Sequence, residues 1–133
     1  MRIRTQKRWT RAGVESDPRS LYLFGDNLCG RGNAGQACIR GLDNAYGIPT
    51  KVAPSMRDGS FLDDKNTFHW AALLQQFRGL DPIVWSDSYD CIVWPEDGIG
   101  TGLARMPEKC PQLFAMLEML RDELFRHVES TQA

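Results

Sequence analysis

This 133-residue chain has only two histidines, no paired cysteine spacing and no apolar run of membrane-spanning length. Each shortage excludes a class of function. Cys29, Cys38, Cys91 and Cys110 form no C-x-x-C pair, and the histidines lie far from them in sequence, so neither a zinc site nor a disulfide framework is expected. A transmembrane helix needs roughly 20 consecutive apolar residues. None is present, and the first residues lack an apolar leader, so we expect a soluble, cytoplasmic chain without a membrane partner. Net charge is −1, which gives no general pull toward polyanions. There is also no tandem repeat, low-complexity tract or linker, and the length suits one domain, 1–133, with its site on one sheet.

Some segments are rich where the whole is not. The opening "MRIRTQKRWTR" holds Arg2, Arg4, Lys7, Arg8 and Arg11 with no acid. Its Arg-Ile-Arg-Thr alternation reads as an exposed edge strand in preference to a nucleic-acid arm. "SLYLF" (Ser20 to Phe24) reads as a buried strand, and "IPTKV" (Ile48 to Val52) as a second. Between them Ala34, Cys38, Leu42 and Ala45 fall on one helical face, with Gly47 as its stop. Residues 55–65 form a polar loop; Asp63 or Asp64 caps a helix carrying Phe68 to Phe77, closed by Asp81-Pro82. "IVW" occurs at Ile83 and again at Ile92, and the second copy is the better core strand. Leu113, Leu117, Leu120, Leu124 and Val128 mark a long amphipathic helix entered through Pro107 or Pro111. Strands alternating with helices predict an α/β fold with a mostly parallel sheet.

Two glycine-rich segments carry the chemistry. "FGDNLCGRGNAGQA" contains a literal G-x-G-x-x-G at Gly30, Gly32 and Gly35. A dinucleotide fingerprint places its first glycine almost at the strand end and an acid at the end of the next strand. Here five residues, Gly25 to Cys29, intervene, and the second strand carries Lys51, so the Rossmann reading fails. The other segment is "PEDGIGTGLARMP", Pro95 to Pro107. In a parallel sheet both loops emerge at the same carboxyl edge, where glycines and helix N-termini present N–H groups to anions. Two such loops suit a diphosphate. Asp26 and Asn27 are placed either to hydrogen-bond ribose hydroxyls or to satisfy the loop's own backbone as an Asx turn.

"GIGTGLARMP" resembles the second ligand loop of macrodomains, and "DNLCGRGNAGQA" with "GIPTKVAP" is similar to their first loop and next strand. The likeness is closest to the branch of terminal ADP-ribose glycohydrolases. It covers about Leu21 to Pro54 and Cys91 to Leu124, in matching order. The resemblance implies a single three-layer α/β/α domain that binds ADP-ribose or a related nucleotide diphosphate. It implies that Asn27 contacts the distal ribose and that Gly30, Gly32, Asn33 and Ala34 line one phosphate loop. Gly98, Ile99, Gly100, Thr101, Gly102 and Leu103 would form the other. Phe24, Tyr46 and Trp94 are candidates to stack on the base, and Asp17 and Asp26 to hold it.

The family's catalytic acids are not matched. Ala104 stands where the glycohydrolase-like branch keeps an aspartate, and Asn33-Ala34 where another branch does; Lys51 is at the place of a reactive lysine. Three functions therefore stay open. The first is nucleotide-diphosphate binding. The second is ADP-ribosyl hydrolysis, with Asp26, Glu96 or Asp97 supplying the acid, Lys51 the reactive amine, and modified protein or nucleic acid the target. The third is a non-enzymatic interaction protein, such as a phage-encoded factor. No metal and no cofactor is expected.

Overall fold

The computed structural model describes residues 1–130. Four strands, β1 (Arg2–Gln6), β2 (Ser20–Asn27), β3 (Ala45–Lys51) and β4 (Cys91–Pro95), form one sheet of order β1-β4-β2-β3. All three pairings are parallel. The helices are α1 (Arg11–Glu15), α2 (Thr67–Arg78), α3 (Leu80–Trp85), α4 (Met106–Lys109) and α5 (Pro111–Ser130), with 3-10 turns at Gly35–Ile39 and Asp58–Ser60.

Period-two alternation in the two central strands builds both faces of the sheet. Leu21 and Leu23 of β2 join Ile92 and Trp94 of β4 in a core closed by Leu73 and Phe77 of α2, Leu80 and Val84 of α3, and Leu113, Leu117, Leu124 and Val128 of α5. Tyr22, Phe24, Cys91 and Val93 point the other way, onto Trp9, Val14 of α1 and Ile39. The chain is thus a three-layer α/β/α domain with one thick and one thin helical layer. Among the described residues no helix is long and apolar enough to cross a membrane.

The structure revises several sequence readings. The small-residue helix after Ala34 shrinks to the 3-10 turn Gly35–Ile39, because Arg40 leaves helical backbone and Gly41 takes φ +90°. Asn44 then donates its amide to the carbonyls of Val14, Asp17 and Ser20, and β3 starts at Ala45, with Gly47 inside the strand instead of stopping a helix. Asn66, not Asp63 or Asp64, caps α2, accepting from the N–H groups of Phe68 and His69. Asp64 instead caps α5 through the N–H groups of Gln112 and Leu113. The first "IVW" copy is helical, in α3, and Asp81-Pro82 lies in that helix's first turn, where proline is tolerated. Phe61 and Leu62, within the expected polar loop, are buried.

Strand topology makes the cleft. The segment after β2 leads to the 3-10 turn on the thin face, whereas the segment after β4 leads to α4 and α5 on the thick face. Adjacent strands whose connections depart to opposite faces leave a crevice at their carboxyl ends. It is widened because β2 pairs with β4 only over Ser20–Tyr22 and Cys91–Val93, although β2 runs on to Asn27.

Candidate functional site

At that crevice lies a cavity of about 510 Å³, within the roughly 300–1,000 Å³ usual for small-molecule sites. Its wall takes Asp26, Asn27, Gly32 and Ala34 from the first loop, Lys51 from the end of β3, and Asp97, Gly98, Gly100, Thr101, Gly102 and Leu103 from the second loop. Gly30 and Asn33 are exposed and stand outside this lining. Ile99 is buried in the core, so only its backbone belongs to the loop surface. Ala104 lines the cavity and supplies no acid.

The first loop is held by its own polar side chains. Asn27 donates its amide to the Arg31 carbonyl at 2.7 Å and accepts from the Arg31 N–H at 3.3 Å, which closes the turn. The Asp26 carboxylate accepts from the Asn27 N–H at 2.7 Å and forms an ion pair with Arg40. Arg40 also donates to the carbonyls of Gly32 and Arg31, so one guanidinium ties together the start and the middle of the loop. Gly32 can adopt φ +81° without the penalty an L side chain pays there, and it approaches Pro54 closely.

The second loop turns at Gly100, where φ is +89° and the carbonyl accepts from the Met106 N–H at 3.0 Å. Gly98 N–H goes to Pro95, Arg105 N–H to Gly102, and the Thr101 hydroxyl to the Asp97 carbonyl. Among the described residues, the N–H groups of Gly100, Thr101, Gly102 and Leu103 donate to no protein acceptor, nor do those of Gly32, Asn33 and Ala34 in the first loop. Unpaired backbone donors thus come from both sides of the cavity, an arrangement suited to an anion.

Lys51 adds a charge. Only 8% of the residue is exposed; its Nζ donates to the Ser55 carbonyl at 2.6 Å and sits 4.9 Å from the centre of the Phe61 ring. No carboxylate is paired with it among the described residues. Burial penalises the ammonium form and holds its pKa below the ordinary lysine value. A desolvated cation without an anion of its own is a natural seat for an anionic ligand.

Three residues that sequence reading passed over complete the site. Arg40 organises the first loop, Arg31 lines the cavity, and Gln36 reaches across the crevice, accepting from the Gly25 N–H at 2.9 Å and donating to the Gly98 carbonyl at 3.0 Å. Gln36 and Arg40 lie four apart within the segment read as a small-residue helix, whose polar positions were the available signal. The aromatic candidates are not at the site. Phe24 and Trp94 are buried in the sheet's two cores, and the Tyr46 hydroxyl donates to the Gln76 carbonyl. Asp17 precedes β2, at the opposite edge of the sheet, where it holds Arg4 and the Tyr22 hydroxyl.

No group of three or more histidine, cysteine or acidic residues that could hold a metal occurs among the described residues. Cys29 is exposed in the first loop, while burial pushes the Cys110 thiol up to about 12. No curated protein and no solved structure matches the chain. A family model does match, over residues 4–120, which include both glycine loops, Lys51, Gln36 and Arg40. The chain therefore belongs to a family of unknown function, DUF7831.

Proposed function

We propose that this domain binds ADP-ribose or a related nucleotide diphosphate in the cleft between β2 and β4. The observation that carries the reading is that, among the described residues, two sets of cavity-lining residues with acceptor-free backbone N–H groups, Gly32 with Ala34 and Gly100 to Leu103, share one cavity with Lys51, which no carboxylate pairs. Two adjoining phosphates would span these donors, with Lys51 neutralising part of their charge. The resemblance of both loops to those of macrodomains points to the same ligand class.

Asn27 is spent on its own loop, so ribose recognition falls to the remaining lining, in which Thr50 and Asp97 are candidates. Leu103, Pro54 and Ala34 offer the apolar surface for a base. Recognition is favoured over hydrolysis because Asp26 is committed to Arg40, while the side-chain carboxylate of Asp97, the other acid in the lining, has no hydrogen-bond partner among the described residues to orient it.

Calorimetry with ADP-ribose, AMP and NAD tests this. ADP-ribose should bind with the strongest heat, and Lys51→Met should weaken it by roughly tenfold, the scale of one lost charge-assisted hydrogen bond. No heat with any of the three on folded protein would remove the reading.

A further inference from the structure

We infer that Gln36 is a positioning residue, a latch that replaces the missing carboxyl-end pairing of β2 with β4 and sets the second glycine loop against the cleft. The ligand half of this inference rests on the proposed nucleotide site; the latch itself does not.

The requirement comes from the sheet. Tyr22 donates its N–H to the Asn44 carbonyl on the β3 side, so by strand alternation Leu23 and Gly25 turn their peptide groups toward β4. Ladder pairing with β4 has ended at Tyr22 opposite Val93. Two side chains take its place. The Trp9 indole N–H donates to the Leu23 carbonyl at 3.0 Å, and Gln36 Oε1 accepts from the Gly25 N–H at 2.9 Å.

Only the glutamine contact continues across the crevice, because its Nε2 donates to the Gly98 carbonyl at 3.0 Å. Gly98 N–H is already held by Pro95, so both polar groups of Gly98 are fixed and the loop departs from a set point. Among the described residues, the acceptor-free N–H groups begin at the next residue, Ile99, and run on through Gly100 to Leu103. A side chain here must accept at one end and donate at the other, at the length of glutamine. An ionised carboxylate can accept from Gly25 but faces the Gly98 carbonyl with no proton; a protonated one restores both bonds.

Hydrogen exchange on the ligand-free protein and ADP-ribose titration, each on wild type, Gln36→Ala and Gln36→Glu, test the latch. Gln36→Ala should speed exchange of the Gly25 amide by about tenfold or more while Ile92 and Val93 keep their protection. Its ADP-ribose affinity should fall by about tenfold. Gln36→Glu should match the alanine variant at neutral pH and return toward wild type at about pH 4–5, where a glutamate carboxyl takes up its proton. Unchanged Gly25 exchange in Gln36→Ala, or a Gln36→Glu variant that shows no acid recovery, would overturn the latch. Wild type that binds no ADP-ribose would overturn the nucleotide reading instead, leaving the exchange result to decide the latch alone.

Discussion

Gly100→Ala should cost about 2–4 kcal/mol of stability and abolish ligand binding, whereas Gly102→Ala, two residues on, should change stability by no more than about 0.5 kcal/mol. The contrast follows from local geometry. At Gly100 φ is +89°, and an added Cβ would lie 2.5 Å from Met106 Sδ. A left-handed L residue costs roughly 1–2 kcal/mol, and overpacking a closed core another 1–3. Met106 is fully buried and cannot move into solvent to make room. Gly102 has no left-handed φ, and nothing lies within 4 Å of its added Cβ. Urea denaturation of the two variants measures the difference, and equal midpoints would contradict this account of the loop.

Arg40→Ala should destabilise by about 2 kcal/mol, more than a surface ion pair is worth and less than a fully buried one. The Arg40 and Asp26 side chains are 22% and 18% exposed, between those limits. Removing the guanidinium strands the carboxylate and also frees the carbonyls of Gly32 and Arg31, so the first loop loses its central tie. Adding Asp26→Asn to Arg40→Ala should restore part of the stability, because the stranded charge disappears with it. Chemical denaturation of the two single variants and the double variant checks the cycle. A strictly additive double would show that the two residues do not act as a pair.

What was legible in the sequence followed the buried pattern. The apolar run "SLYLF", the second "IVW" and the leucine spacing of α5 all report burial, and the structure buries Leu21, Leu23, Ile92, Leu113 and Leu117 as those patterns predict. Segments held by side-chain hydrogen bonds were not legible. The span from Gly35 to Ala45 has helical spacing, yet Asn44 fixes three carbonyls and Gly41 turns the chain, so tertiary contacts override the period. Likewise β2 extends three residues past its apolar run because Gly25, Asp26 and Asn27 pair with Ile48, Pro49 and Lys51 on β3. The two glycine loops could be placed at one sheet edge from sequence. The ties made by Gln36 and Arg40 could not, since each joins groups that only the folded sheet brings together.

The most direct test of the nucleotide-diphosphate site is an amide-resolved NMR titration of the isotopically labelled chain with ADP-ribose. The backbone amides of Gly32, Asn33 and Ala34 and of Gly100 to Leu103 should shift together, saturating at one ligand per chain, while the amides of Asp17 and Arg19 at the opposite sheet edge stay still. Saturable shifts confined to some other surface, or no shift in either glycine loop at saturating ligand, would contradict it.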